Sequence, residues 1–238
     1  MYGYGYGYSY GGYGYGMNIS YLALVVISLV LGLATQAYIN STYKKWSRVK
    51  SDGESGAAVA RRMLNANGCQ AVGIQSVAGT LTDHYNPSDN NLYLSNDNLT
   101  GGSVASVAVA CHEAGHAAQR QAGYTMMKVR TALVPVVNIS QNLWMIVFFA
   151  GVAMNMAGLT TLAIFLFAFS VLFQLVTLPV EFDASRRAVA YIRDSGMNEV
   201  NVRGAKAVLT AAALTYVAAA LTSILQLLYL LGQTRRRD

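Results

Sequence analysis

Two histidines and a glutamate lie close together in the segment CHEAGH at residues 111–116. Residues four apart share one face of a helix, so His112 and His116 can present two imidazole nitrogens to one ion. Glu113 is rotated by about 100° from His112, which places its carboxylate beside the open position of the ion. This is the H-E-x-x-H arrangement of zinc hydrolases. The motif therefore predicts a Zn²⁺ site with His112 and His116 as ligands and Glu113 as general base.

The motif is expected to lie on a helix from Val104 to Gln121. Ser103 is a suitable N-cap, and Gly123 follows as a C-terminal stop. Gly115 inside this helix costs about 1 kcal/mol relative to alanine, so we expect it to allow close approach of another segment or of substrate. Gly115 thus predicts that another segment or the substrate packs closely against the motif.

The two cysteines, Cys69 and Cys111, form no disulfide framework. Cys111 precedes His112 but points about 100° away from it along a helix. We interpret it as a small buried apolar residue and not as a ligand.

A catalytic zinc usually has three protein ligands, and the chain has only one further histidine, His84. His84 could be the third ligand, a donor to the reacting oxyanion, or a polar residue of the turn at residues 82–85. Glu181 is the favoured third ligand. Pro179 can begin a helix that continues to Arg193, and Glu181 would then lie in its first turn.

We predict roles other than metal binding for two more polar side chains near Glu181. Ser185 lies one turn after Glu181 and can hydrogen-bond to a metal ligand. Asp183 and Arg187 are spaced as an i, i+4 ion pair. Asp183 is therefore interpreted as the partner of Arg187.

Composition indicates a membrane protein. Of 238 residues, 54% are hydrophobic and 12% are charged, against about 25% charged in a soluble domain. Uncharged runs extend from Ile19 to Ile39, from Thr131 to Val180 and from Ala207 to Thr234. A spanning helix needs about 20 apolar residues, so these runs predict one, two and one crossings, with a turn at residues 155–158 in the middle run.

A secretory signal peptide is the alternative for the first run, but no basic residue precedes it, and we expect an anchor.

The predicted fold class is mainly α, with multi-pass membrane helices and a small α+β cytosolic zinc-peptidase domain around the H-E-x-x-H helix. The predicted segments are a Tyr/Gly-rich disordered tail (1–18), a first transmembrane helix (19–39), a cytosolic part (40–130), two transmembrane helices (131–178), a cytosolic helix with the third ligand (179–206), an apolar helix that spans or partly enters the membrane (207–231) and a basic tail (232–238).

Charge places the site on the cytoplasmic side of the cell membrane. No charged residue precedes the first apolar run, whereas Lys44, Lys45 and Arg48 follow it. Two further crossings return residues 179–206 to the same side. A complete fourth crossing would place the basic residues 235–237 outside, against this tendency. The alternative is that only the Leu-rich half of the last run reaches lipid.

Two shorter elements are predicted before the metal helix. Ser55 caps a helix over Gly56 to Asn67, and residues 91–95 alternate as a strand does. Leu92, Tyr93 and Leu94 are expected either at a free sheet edge, where a substrate peptide could pair, or in an ordinary covered strand.

The motifs together resemble the YugP-type neutral zinc metallopeptidases of bacterial membranes. The resemblance covers residues 19–231 and rests on HEAGH at 112–116, LPVEFDAS at 178–185 and LTDHY at 81–85. It implies a multi-pass membrane protein with two histidines and one glutamate as zinc ligands, which supports Glu181 by position. The more distant gluzincin peptidases often carry an acidic residue four positions after the glutamate ligand, where this chain has Ser185.

The predicted activity is that of a membrane-bound zinc metalloendopeptidase. Glu113 would take a proton from the water that attacks a peptide carbonyl, with His84 or Tyr85 as a second donor. The expected partners are a peptide or protein substrate, including membrane proteins, and the lipid bilayer. No nucleic-acid motif is present. The alternatives are a membrane scaffold or assembly factor with a structural or inactive zinc site, and an amidase or lipid-modifying hydrolase.

Overall fold

The computed structural model describes residues 19–234, and within that range it contains seven helices and three strands. The predictions for residues 1–18 and 235–238 lie outside the described residues. The elements in chain order are α1 (Ile19–Trp46), α2 (Gly56–Ala66), β1 (Gly73–Val77), β2 (His84–Asn86), β3 (Asn91–Ser95), α3 (Asn96–Leu99), α4 (Val104–Gln121), α5 (Thr125–Ala153), α6 (Ala157–Asp194) and α7 (Glu199–Thr234).

Four of the helices in residues 19–234 are long and apolar enough to cross a membrane, namely α1, α5, α6 and α7. Large apolar side chains point outward along them, including Leu33 at 63% exposure, Ile146 at 66% and Phe165 at 65%. Outward apolar surface of this extent is typical of contact with lipid. The prediction of a mainly helical chain with a small sheet is confirmed.

The two helices of the middle apolar run are joined by a short turn. α5 ends at Ala153 and α6 begins at Ala157, so the turn occupies residues 154–156 and overlaps the predicted turn at residues 155–158. Asn155 has a φ of 53°, a conformation that asparagine tolerates better than most residues with a Cβ. Among the described elements, α5 and α6 form the most extensive helix–helix contact.

The predicted helix start at Pro179 is wrong, because α6 runs without a break from Ala157 to Asp194 and contains Pro179. A proline inside a helix lacks one hydrogen-bond donor and usually costs about 3 kcal/mol. Packing offsets this cost, since Val180, Ala184 and Ala188 on the same helix are fully buried. Glu181 is therefore held by the interior of a long helix and not by a first turn.

The small sheet has the strand order β1-β3-β2, with β1 parallel and β2 antiparallel to β3. The predicted boundaries of β3 agree with the structure. The expectation of a free peptide-binding edge at Leu92, Tyr93 and Leu94 is wrong, because β3 is the central strand and its backbone is paired on both sides. Leu92 and Leu94 are fully buried in the core, so the covered-strand alternative holds.

The sheet, α2 and α4 enclose one core, which also receives the last turns of α6 and the first turns of α7. α2 begins as predicted, with the Ser55 hydroxyl accepting a hydrogen bond from the backbone N–H of Ala58. A second cluster joins Leu230 near the end of α7 to Ile164 and Phe167 of α6. α7 thus packs on the α4 core at its start and on the apolar part of α6 near its end.

Candidate metal centre

Three side chains from two helices that are far apart in the sequence, α4 and α6, converge at one point. The ligand atoms of His112, His116 and Glu181 all lie within 4.8 Å of one another, and they form the group suited to a metal ion among residues 19–234. Oε2 of Glu181 lies 3.2 Å from Nε2 of His112 and 3.6 Å from Nε2 of His116. The structure thus brings together the three side chains that the sequence predicted as ligands.

The separation of Glu181 from each of the two histidine nitrogens suits zinc. A tetrahedral ion with bonds of about 2.0–2.2 Å to nitrogen and oxygen holds its ligand atoms about 3.3 Å apart. The separations of 3.2 and 3.6 Å bracket this value. Two imidazoles and one carboxylate are also a ligand set of catalytic zinc sites, so the residues present fit the ion.

The group lies in a buried environment that favours positive charge. Glu181 is 2% exposed and His116 is 6% exposed. Burial alone would lower the pKa of His116, but the hydrogen bond and charge of Glu181, followed by the charge of Glu113, raise it above its ordinary value. The two carboxylates therefore stabilise a cation at the position of the imidazoles.

Both imidazoles are oriented through their Nδ1 atoms. The Ser185 hydroxyl lies 3.2 Å from Nδ1 of His112, and the Gln119 amide oxygen lies 3.0 Å from Nδ1 of His116. A proton on each Nδ1 would donate to these oxygens, leaving the Nε2 lone pairs free for a metal. Ser185 was named from its spacing to Glu181, whereas no sequence signal distinguished Gln119.

Gly115 lets α4 and α6 approach closely at this point. A Cβ at position 115 would lie 2.8 Å from the backbone oxygen of Ala184, which is shorter than real Cβ contacts. Ala184 is three residues beyond Glu181 on α6. The neighbour of Gly115 is therefore another segment of the chain, and its close approach brings Glu181 to the histidines.

A cavity of about 280 Å³ opens beside the group, and we refer to it as the central cavity. His112, Glu113 and Glu181 line it, together with residues of α1, of the loop before β2 and of α7. Glu113 is 8% exposed and does not belong to the metal group. Its carboxylate is thus placed next to the candidate metal position, facing space that a small substrate group or water could occupy.

Two further side chains near Glu181 were not predicted. Nη2 of Arg130 on α5 lies 3.9 Å from Oε1 of Glu181. Tyr216 on α7 lines the central cavity and interacts with the carboxylates of Glu181 and Glu113. Both come from helices whose contact with α4 and α6 is set by tertiary packing, for which the sequence carries no local signal.

His84 and Tyr85 lie elsewhere. His84 is exposed at the start of β2, its Nδ1 is 2.9 Å from the backbone oxygen of Thr82, and its ring stacks on Tyr93. The Tyr85 hydroxyl donates to Asn90 at 2.8 Å. Neither side chain lines the central cavity. The structure thus does not bring either predicted donor to the ligand group, and His84 lies at a turn, which was one of its predicted alternatives.

Cys111 is fully buried in the core around α4. Burial raises the pKa of its thiol to about 12. A neutral, buried thiol is a poor metal ligand, which agrees with the prediction of a small apolar residue.

The chain is similar to known peptidases in sequence. A family model described as "Putative neutral zinc metallopeptidase" matches residues 21–235. A relative in Bacillus subtilis (strain 168), "Putative membrane protease YugP", is 42% identical over 212 residues, which cover 87% of this chain and 93% of the relative. No solved structure matches the chain. The matched range includes His112, Glu113, His116 and Glu181.

Proposed function

Because the chain belongs to the family of neutral zinc metallopeptidases whose model it matches, we propose that it is a membrane-bound zinc metalloendopeptidase. Its substrates would be peptides or proteins, including membrane proteins. One observation carries the proposal: His112, His116 and Glu181 converge at a cavity that Glu113 also lines.

Three side chains would hold the ion. Nε2 of His112, Nε2 of His116 and the Glu181 carboxylate are the atoms that meet within the group. When bound, zinc supplies Lewis acidity, which lowers the pKa of water to about 7 and stabilises negative charge on a carbonyl oxygen. Ser185 and Gln119 would keep the two imidazoles in the orientation and tautomer that binding needs.

Glu113 would be the general base. Its carboxylate faces the central cavity from the residue after His112 and is largely shielded from solvent. In this position it can accept a proton from water as the water attacks a peptide carbonyl, and can then pass the proton to the leaving amine. Glu181 and Glu113 line the same cavity, but only Glu181 belongs to the metal group. Glu181 would therefore act as ligand and Glu113 as base.

The site is proposed to face the cytoplasm. α1 ends in Lys44 and Lys45, and α6 ends near Arg193. Trp46 at the end of α1 packs on the α4 core, so this core lies at the basic end of the helices. Basic residues favour the cytoplasmic side of a membrane, which supports cleavage of substrate at the inner membrane face.

A membrane scaffold with a structural zinc site is the alternative. Structural sites are usually closed by four protein ligands. The group found in residues 19–234 has three, and it borders a cavity. This open side favours the catalytic assignment.

The proposal is tested with Glu113→Gln in the full-length protein, purified in detergent. We expect one zinc per chain, as in the wild type, and loss of cleavage of labelled denatured casein and of trapped native substrates. Glu199→Gln is the matched control, because Glu199 is an exposed carboxylate at the start of α7. Retained turnover in metal-replete Glu113→Gln would exclude Glu113 as general base.

Two further measurements separate the alternatives. Glu181→Ala should lower zinc stoichiometry, and one zinc per chain in this variant would require a different third ligand. Proteomic identification of proteins captured by Glu113→Gln, but not by the wild type, would show whether the substrates are polypeptides. Capture of lipid-linked or non-peptide amides only would favour an amidase or lipid-modifying hydrolase.

A further inference from the structure

A hydrogen-bond donor beside the metal would further stabilise the carbonyl oxygen as it gains negative charge during peptide hydrolysis at the proposed site. The two residues that sequence spacing suggested, His84 and Tyr85, do not line the central cavity. The candidate donors are therefore the polar side chains that do line it.

Most of these side chains are already engaged. The Tyr43 hydroxyl donates to Asn98 at 2.8 Å, and the Thr215 hydroxyl donates to the backbone oxygen of Ala212 at 2.6 Å. Nε2 of Gln36 donates to Asn40 at 3.0 Å.

Apart from the metal ligands, Glu113 and Tyr216, two polar side chains of the cavity wall remain, and neither is a suitable donor. Asp83 accepts hydrogen bonds from Ser95 and Asn98 and would repel an oxyanion. Ser185 lies against Nδ1 of His112. Among the cavity-lining residues that the structure describes, Tyr216 is left, and its hydroxyl interacts with the Glu181 carboxylate, so its donor is directed at the ligand group itself.

Tyr216 is well placed for this role. It lines the cavity from α7, to whose wall Ala212 and Ala213 of the same helix also contribute. Its hydroxyl is directed at the Glu181 carboxylate, and the charge of Glu113 also acts on it, so it lies at the ligand group on the side that Glu113 lines.

We infer that Tyr216 donates a hydrogen bond to the carbonyl oxygen of the substrate as that oxygen gains negative charge. The inference rests on the proposed peptidase function. The phenol keeps its proton throughout, and Glu113 carries the proton that leaves the attacking water. Because the hydrogen bond strengthens as charge develops, it lowers the barrier more than it tightens substrate binding.

The test compares Tyr216→Phe with the wild type in the full-length protein. Removing one oxyanion donor typically lowers kcat by about 100-fold. We expect that loss on labelled casein, with KM within about twofold and one zinc per chain. Tyr229→Phe is the matched control, because Tyr229 lies on the same helix and packs against Tyr21, away from the central cavity.

A second readout does not depend on turnover. A phosphoramidate dipeptide carries a tetrahedral anion that resembles the charged oxygen, whereas the matching planar amide does not. Tyr216→Phe should weaken binding of the phosphoramidate by the same factor as kcat and leave binding of the amide unchanged. Equal binding of the phosphoramidate by both proteins, or a loss confined to KM, would overturn the role of Tyr216 while leaving the peptidase function intact. Failure of the zinc-loaded wild type to bind or cleave anything would overturn both.

Discussion

The amide oxygen of Gln119 lies 3.0 Å from Nδ1 of His116, while Nε2 of the same ring lies 3.6 Å from Glu181. Nε2 of Gln119 in turn donates to the backbone oxygen of Val180 at 2.8 Å and to Asp183 at 3.0 Å. One buried glutamine thus ties the histidine helix α4 to α6 on both sides of Glu181.

Replacing Gln119 by leucine is therefore expected to weaken zinc binding. The change keeps a similar volume but leaves Nδ1 of His116 and the Asp183 carboxylate without this partner. Loss of such an outer contact typically lowers metal affinity by about 10- to 100-fold. Competition titration with a chromophoric chelator would measure it. Gln121→Leu, at an exposed position of the same helix, should bind zinc as the wild type does, and equal affinity in both variants would contradict a role for Gln119.

Gly115→Ala is expected to disturb the contact between α4 and α6. The added Cβ would lie 2.8 Å from the backbone oxygen of Ala184, and a backbone atom cannot move aside as a side chain end can. Overpacking of this kind costs about 1–3 kcal/mol, and displacement of α6 would also draw Glu181 away from the histidines. We expect a lower unfolding midpoint together with reduced zinc stoichiometry.

Gly158→Ala is the control for that variant, since no atom lies within 4 Å of a Cβ built at Gly158. It should leave the zinc content and the unfolding midpoint close to those of the wild type. Full zinc content in Gly115→Ala at an unchanged midpoint would show that the close approach is not needed.

Local features of the chain were predictable from sequence. The i, i+4 spacing of His112 and His116 depends only on one helix, and Ser103 does cap that helix through Ser106. The apolar runs and the turn near Asn155 are likewise properties of contiguous residues. The proposed ligand Glu181 was chosen because a catalytic zinc usually has a third protein ligand and because the resemblance to the zinc metallopeptidases supports this position, whereas the helix start from which it was placed is wrong.

The features that sequence reasoning missed depend on distant contacts. Pro179 signals a helix start locally, but burial of the residues that follow it keeps α6 continuous. The strand β3 is central because β1 pairs with it in parallel, which no local pattern reveals. Gln119 and Tyr216 reach the site only through the packing of α4 on α6 and of α7 on both.

The proposed membrane topology can be checked with single cysteines. Ser88→Cys lies in the exposed turn between β2 and β3, and Met154→Cys lies in the turn between α5 and α6. In intact cells a membrane-impermeant maleimide should label the cysteine at position 154 and not the one at position 88. Both native thiols, Cys69 and Cys111, are buried, so background labelling should be low. Labelling at position 88 in intact cells would place the proposed active site outside.

Thr177→Val is expected to stabilise the protein. The Thr177 side chain is buried on α6, and its Oγ1 has no hydrogen-bond partner among the residues that the structure describes. A buried polar group without a partner costs about 1–3 kcal/mol, and valine has nearly the same shape without the hydroxyl. For a chain of this size each kcal/mol raises the unfolding midpoint by about 2–4 °C, which thermal denaturation in detergent would detect.

Thr131→Val provides the contrast for that measurement. The Thr131 hydroxyl donates to the backbone oxygen of Met127 at 2.8 Å, so its removal deletes a hydrogen bond and should bring no gain in the unfolding midpoint. A fall in the midpoint of Thr177→Val, similar to that of Thr131→Val, would mean that Thr177 is hydrogen-bonded in the protein, for example to a buried water. In that case the free energy of unfolding would depend on a hydrated position on α6, one turn before Glu181.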